Sequence, residues 1–401
     1  MLLDEAILSA WPRWPSYGPR EVEAVRRVIK SNQLFAAGEV RCFENDFSTY
    51  LGVDFSVGVG NATQGLHLAL AALGVGEGDE VAVSNCSWIS SASCILMQNA
   101  IPVFIDIDPK NFGMDPLKLL EAISPRTKAI IDVNILGYPS NVVQVKEIAE
   151  RFKIPLIEDA SHGPGSSINR KKTGTFGDIS VFSLQQRKAI STGDGGMIST
   201  NREDLATKLS QLRSFGNEEL SYNYRMSEFS AALGRIGLEK LDFENSMRQS
   251  SALMLSEILA SEDWVRVRLV NGDAVGVYYA IALEINLPDG LCEDLLKEML
   301  GRGVPMRKLF SPLNKHSHFN PKSKPARGLP WNHPNYHGSM QSVQYKDLNF
   351  PICEEFCNGR VFELYVHPGT DELHLKAFAR TLKELYFRYS PDKVSRRPNW
   401  V

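Results

Sequence analysis

Three stretches of the chain carry residue types whose spacing can do chemistry. The first, GVGNATQG from Gly58 to Gly65, lies between an apolar run and an Ala/Leu-rich tract, TQGLHLALAAL, that reads as a helix over 63–73. A dinucleotide fingerprint would set its third glycine three residues after the second and an acid at the end of the next strand. Here Gly65 follows Gly60 by five and the next strand ends in SNCS, so nicotinamide binding is disfavoured. What remains is a helix N-terminus, whose unpaired N–H groups and positive dipole end suit a single phosphate at Ala62, Thr63 and Gln64. Thr63 as an ordinary helix cap accounts for the same residues.

The second stretch, IPLIEDASHGPG from Ile154 to Gly165, runs an apolar strand straight into Glu158 and Asp159. Asp159 ends a strand where open α/β sheets keep their ligand sites, and a carboxylate buried there must be paired to stay ionised. A pyridinium nitrogen is one partner that would justify it; an acid capping the following turn is the plainer reading. The third stretch, GDISVFSLQQRKAISTGDGGMIST from Gly177 to Thr200, is a strand, a polar turn with one lysine, and a glycine-rich return. Lys188 follows Asp159 by 29 residues. In a dry cleft near electron-poor groups such a lysine loses basicity and becomes a nucleophile toward carbonyls, whereas on the surface it is a solvated cation.

The elements that must position these residues show in the periodicity. From about residue 20 to 200, short β-branched runs alternate with longer helical patterns, the mark of βαβ units winding a mainly parallel sheet. Strands are expected at 56–60, 81–84, 102–106, 129–134, 154–159, 179–183 and 195–200. A helical tract over 226–241 leads into a charged connector and sets a domain boundary, giving a large domain with an N-terminal arm over 1–245 and a smaller α+β domain over 246–401. The small domain should hold a strand-like run over 275–285, a helix ending near Gly301, and a Pro/His/Asn-rich loop over 311–338. A loop that long reads as a functional loop or partner contact. The tail over 391–401 should fray.

Composition bounds the function. With 401 residues, 43% hydrophobic and 23% charged, the chain can bury a large core in two or three domains. Its 44 Lys+Arg against 47 Asp+Glu give a net charge of −3, without the basic surplus of a protein that lives on phosphate backbones, so no nucleic-acid partner is expected. Asp4 and Glu5 stand where a signal peptide would carry positive charge, and no apolar run is long enough to span a bilayer, so a soluble, cytoplasmic protein without a membrane partner is expected. Six scattered cysteines suit a reducing compartment without disulfides. Cys353/Cys357 and His333/His337 are each spaced i, i+4, but neither has a second pair at zinc-ligand spacing; they read as core thiols and surface imidazoles, and no metal is expected.

The combination resembles the DegT/DnrJ/EryC1/StrS family of sugar and cyclitol aminotransferases, fold-type-I enzymes that use pyridoxal 5′-phosphate (PLP). The likeness runs from about Pro12 into the small domain. It rests on GEGDEVAVS (76–84), SPRTKAII (124–131), EDASH (158–162), GDISVFS followed by the lysine, TGDGG (192–196) and YNYRMSEFSAALG (222–234). It implies an α/β fold with a mainly parallel seven-stranded sheet, flanking helices and a smaller α+β C-terminal domain. It also implies an amino group passed from L-glutamate or L-glutamine to the cofactor and, from its aminated form PMP, to a ketone of a sugar or cyclitol. By resemblance Lys188 would link covalently to the cofactor aldehyde and then serve as the base, and Asp159 would pair with the ring nitrogen. Trp88 would stack on the ring, where an ordinary core indole is the alternative. His162 would lie near the phenolic oxygen, Ala62, Thr63 and Ser183 would bind the phosphate, and Asn223 would reach the phosphate of a neighbouring subunit in a homodimer.

QQRK (185–188), with His162, is more similar to the branch acting on keto-cyclitols in aminoglycoside pathways than to the nucleotide-sugar branch, and VFELYVHPG (361–369) departs from the ending common in the latter. Arg213 and Arg225 are candidates for a donor carboxylate, with surface pairing as the alternative. Two other functions remain. A cofactor-dependent sugar dehydratase of this kind usually replaces the lysine by histidine, and a catalytically silent binding or regulatory protein would have lost Asp159 or Lys188; this chain keeps both.

Overall fold

In the computed structural model, residues 2–215, 220–287, 290–319, 330–338 and 344–389 are described. The chain opens with three helices, α1 (Leu2–Ser9), α2 (Pro19–Ser31) and α3 (Gly38–Leu51), before β1 (Phe55–Val59) enters the large sheet. Then β2 (Glu80–Ser84), β3 (Ile101–Ile105), β4 (Thr127–Val133) and β5 (Leu156–Asp159) alternate with α4 (Ala62–Ala72), α5 (Ser90–Met97), α6 (Pro116–Ala122) and α7 (Val142–Phe152). Two short strands, β6 (Ser167–Ile168) and β7 (Lys171–Lys172), precede β8 (Ile179–Ser183) and β9 (Gly196–Thr200). The seven-stranded order is β1-β9-β8-β5-β4-β2-β3. The run from β8 to β3 is parallel, and β9 is antiparallel to both β8 and β1. This is the mainly parallel seven-stranded α/β sheet expected from the sequence, with each strand within two residues of its expected run.

Local chemistry explains the elements. The helix expected over 63–73 is α4, and its cap is Asn61 rather than Thr63: the Asn61 side chain accepts the Gln64 N–H at 3.0 Å. Gly65 lets α4 lie on the sheet, since a Cβ there would meet Val181 Cγ1 at 2.8 Å. Asp115 caps α6, with Pro116 at its first position. After α8 (Glu203–Arg213), the Ser227 hydroxyl caps α9 (Glu228–Ile258), a 31-residue helix that runs through residue 245.

The C-terminal part of the chain, expected as the small domain, holds a four-stranded sheet, β10 (Val265–Val267), β12 (Ile281–Ile285), β14 (Val361–Leu364) and β13 (Met306–Lys308), with α10 (Cys292–Gly301), α11 (Pro351–Glu355) and α12 (Glu372–Tyr389). The run expected as one strand over 275–285 divides. β11 (Ala274–Val275) pairs with β6, and only Ile281–Ile285 joins the sheet. Between them Tyr278 has a left-handed φ of 48°, and Val277 donates to the Gly137 carbonyl at 3.0 Å, so the backbone bonds a loop of the large domain instead of a neighbouring strand. The described parts of the 311–338 loop pack inward on Leu313, Phe319, Trp331 and Tyr336. The tail over 391–401 lies outside the described residues. No helix among the described residues is long and apolar enough to cross a membrane.

Candidate active site

Three of the parallel strands, β2, β5 and β8, end on the polar residues Ser84, Asp159 and Ser183, and the site is built along that C-terminal edge. Asp159 closes β5 and is buried. Its Oδ2 accepts the Ser91 hydroxyl at 2.7 Å and its Oδ1 accepts the Ser161 N–H at 3.2 Å. Ser91 also shares a 2.7 Å hydrogen bond with Ser87. On the next strand Asp132 is fully buried, which pushes its carboxyl up to about 6, and the nearby Asp159 charge adds to the shift.

Lys188 lies in the turn after β8, with its N–H on the Gln185 carbonyl at 2.7 Å and its own carbonyl accepting the Trp14 indole N–H at 3.0 Å. Its ammonium stands 4.7 Å from the centre of the Tyr279 ring. Burial of that amine lowers it from 10.5 to about 7; Asp159 opposes the shift and Arg307 adds to it. At neutral pH the group is therefore divided between ammonium and free amine.

His162 is buried, stacked on Tyr279 with ring centres 4.3 Å apart and planes 9° from parallel. Its Nδ1 accepts the Leu136 backbone N–H at 3.1 Å. Burial, with the charges of Lys188 and Arg307, holds it well below the usual imidazole range. The ring is therefore neutral, and with Nδ1 an acceptor its hydrogen sits on Nε2. The supporting loop is tight: Leu136 has φ 55° and Gly137 φ 83°, and a Cβ on Gly137 would meet the Tyr279 nitrogen at 2.9 Å.

Trp88 stands at the entrance to α5, 57% exposed, with its edge against Phe310 at 6.0 Å; it is an open platform rather than a core indole. In the first turn of α4 the Gln64 and Gly65 N–H groups are taken by Asn61, which leaves those of Ala62 and Thr63 available to an anion. The Thr63 hydroxyl donates to Ser90 at 2.7 Å. Ser183 ends β8, buried, on the same edge as Asp159. Asn223 is elsewhere: it is exposed, and its backbone bridges to Ser214.

The other two candidates are committed within the chain. Arg213 forms an ion pair with Glu44 and donates to the Gly58 carbonyl at 2.9 Å, so it is not free for a donor carboxylate. Arg225 lies between two rings, 4.4 Å from the centre of Phe35 and 5.0 Å from that of Phe215. The imidazole of His333 pairs with Glu77 at 2.9 Å. A hollow of about 750 Å³ lined by Tyr138, Asn169, Arg266 and Arg268 contains none of the expected site residues.

Sequence reasoning missed Ser91, Tyr279, Arg307 and Trp14, which surround Asp159 and Lys188. No local motif marks them; only the WPRWP turn and the position of Ser91 three residues after Trp88 offered a signal. Arg307 on β13 donates through Nε to buried Glu363 on β14 at 2.6 Å and lies 4.9 Å from the centre of the Tyr365 ring.

The donor set suits PLP. A helix N-terminus with two available N–H groups and a nearby hydroxyl fits a phosphate. A carboxylate anchored by Ser91 fits a ring nitrogen, a neutral imidazole N–H fits a phenolate, an open indole fits a ring face, and a near-neutral amine fits an aldehyde.

Residues 15–351 match the sequence profile of the DegT/DnrJ/EryC1/StrS aminotransferase family. The chain is 31% identical over 375 residues to the L-glutamine:2-deoxy-scyllo-inosose aminotransferase of Streptoalloteichus tenebrarius, covering 86% of this chain and 87% of that protein. It is 35% identical over 283 residues to the GDP-perosamine synthase of Caulobacter vibrioides, covering 68% of this chain and 76% of that protein. The crystal structure of the aminotransferase TlmJ from Streptoalloteichus hindustanus superposes with a TM-score of 0.81 at 25% identity, covering 94% of this chain and 98% of that one.

Proposed function

We propose, from the premise that this chain belongs to the DegT/DnrJ/EryC1/StrS aminotransferase family and is a PLP-dependent aminotransferase, that it moves an amino group from L-glutamine or L-glutamate to a ketone on a keto-cyclitol. The observation that carries the reading is the buried, near-neutral Lys188 electrostatically coupled to Asp159 at the C-terminal edge of the sheet. The likeness of QQRK and His162 to the keto-cyclitol branch, and the relative acting on 2-deoxy-scyllo-inosose, support the acceptor.

Bound at this site, PLP supplies an electron sink for the carbanion formed when the donor loses its α-proton. The chain's own residues do the rest. Lys188 carries the cofactor and moves the proton, because an amine near neutrality can both accept and return it. Asp159, held by Ser91 and the Ser161 N–H, keeps an anion at the ring nitrogen. His162 would offer its Nε2–H to the phenolic oxygen, Trp88 would stack on the ring, and Ala62, Thr63 and Ser183 would receive the phosphate. The Arg307 guanidinium, held by Glu363 through Nε and with its side chain 34% exposed, would turn its terminal nitrogens to an amino-acid carboxylate.

We also read the working unit as a cytoplasmic homodimer. Asn223 sits on a surface beside Phe215 and Leu220, which are 58% and 95% exposed, and apolar exposure of that kind suits a partner subunit whose phosphate Asn223 reaches. In a single-turnover assay, the aminated holoenzyme should convert 2-deoxy-scyllo-inosose to the amine and regain the aldehyde-form absorbance. Faster transfer to a nucleotide-linked ketosugar overturns the cyclitol reading, and transfer to neither overturns both.

A further inference from the structure

Three cysteines converge from opposite ends of the chain. Cys86 follows β2, Cys353 lies in α11, and Cys357 lies one turn later in the segment Phe356–Arg360. The i, i+4 spacing puts Cys353 and Cys357 on one face, with sulfurs 3.8 Å apart. The fold then brings Cys86 to them, and the three Sγ atoms lie within 4.8 Å of one another. All three side chains are buried, at 0%, 0% and 4% exposure. For a tetrahedral cation with metal–sulfur bonds of about 2.3 Å, the sulfur–sulfur edge is about 3.8 Å. Cys353 and Cys357 already stand at that span.

The surroundings hold the cluster in place. Asp106, just past β3, accepts the N–H of Cys353 at 2.9 Å and that of Ile352 at 3.2 Å, which fixes the first turn of α11 against the large domain. A second, independent observation comes from Glu363. Its charge bears on Cys357, and while its Oε2 is taken by Arg307 and Tyr365, its buried Oε1 has no partner. A buried carboxylate oxygen left unpaired costs free energy that a nearby cation, or a water bound to one, would relieve.

We propose that Cys86, Cys353 and Cys357 form a buried site for one thiophilic divalent cation, zinc in the cell. Three thiols bind one cation and release three protons, giving three metal–sulfur bonds and leaving the fourth position to water. No redox change is involved. The site joins the loop that carries Trp88 to the small domain, since Cys86 lies two residues before Trp88 and one before Ser87, the hydrogen-bond partner of Ser91.

The test uses untagged holoenzyme expressed with added zinc and dialysed against metal-free buffer. Elemental analysis should find about one zinc per chain, and X-ray absorption at the zinc edge should show a sulfur-dominated shell at about 2.3 Å. Cys86→Ser and Cys357→Ser should each lower the zinc content at least tenfold, whereas Cys42→Ser and Cys94→Ser should leave it unchanged. Should a serine variant fail to fold, the wild-type measurements decide alone. Less than a tenth of an equivalent of zinc in wild type overturns the proposal. So does a nitrogen/oxygen shell, retention of zinc by both serine variants, or a thiol count under denaturation below the six of the sequence, which would mean a disulfide.

Discussion

The indole N–H of Trp14 donates to the carbonyl of Lys188 at 3.0 Å, which ties the N-terminal arm to the turn that presents the amine. The same indole stacks on His367 with ring centres 6.0 Å apart, and the Arg248 guanidinium lies 5.0 Å from its centre. One side chain therefore links the arm, the lysine turn and the small domain. Trp14→Phe keeps the stacking and removes the donor. A neutral hydrogen bond contributes about 1 kcal/mol, so turnover should fall roughly fivefold with little change in melting temperature, measured by steady-state kinetics and calorimetry.

Lys188→Ala should abolish transamination, with a loss of about 10⁴-fold or more in kcat. PLP should still bind, held by the phosphate donors and Trp88. Dialysis of the loaded variant against wild type, followed by borohydride and mass spectrometry, checks this: only the wild type should retain covalent cofactor.

The depressed Lys188 pKa sets a pH dependence. An unperturbed lysine titrates at 10.5 and this one at about 7. Below pH 7 the amine is an ammonium and no nucleophile, so capture of PLP by cofactor-free protein should fall about tenfold per pH unit there and level off above it. A solvated lysine would keep gaining rate toward 10.5. Stability follows the same sign. Between about 7 and 10.5 the unfolded chain binds a proton that the folded chain does not, so cofactor-free protein gains stability as pH rises through that window. Lys188→Met should flatten the slope in denaturant titrations.

Asp159 depends on its neighbours. Asp159→Asn removes the anion and should lower kcat about a hundredfold, whereas Ser91→Ala removes only one donor and should cost about tenfold. If the two variants lost activity equally, Ser91 would touch the reacting groups rather than position the carboxylate.

Gly65→Ala tests the seat of the phosphate site. A Cβ there meets Val181 Cγ1 at 2.8 Å, so α4 must lift from β8. Overpacking of this kind costs about 1–3 kcal/mol. Thermal melting should show that loss, and PLP titration of the cofactor-free protein should show weaker binding, because the same helix presents the N–H groups of Ala62 and Thr63.

The sequence made the large sheet readable because its strands are β-branched runs bounded by glycine and polar turns, and burial on both faces admits little else. The placement of Asp159 and Ser183 at strand ends, and of Lys188 in the turn after one, was readable for the same reason. The division of 275–285 was not. Apart from Gly276 and Glu284 its residues are apolar or aromatic, and only the left-handed Tyr278 and the bond to Gly137 separate β11 from β12. Asn61 outcompeted Thr63 as the α4 cap because it sits one position before the helix with its side chain on the Gln64 N–H. Arg307 meets Glu363 across a strand pair, Tyr279 meets His162 and Cys86 meets Cys353 and Cys357 only through contacts far apart in the chain, which no local spacing encodes. Arg213 looked available because Glu44, its partner, stands 169 residues away.

At 1.5 Å per residue, the 31 residues of α9 make a rod about 46 Å long. It begins just after the segment that carries Asn223 and Arg225 and runs on beneath the small domain. A hinge placed in it would have to break backbone hydrogen bonds, so the two lobes share a stiff keel. Admission of a bulky ring and release of product then fall to the flanking loops and the arm bearing Trp14, and the tempo of catalysis should answer to substitutions there sooner than to any along the rod.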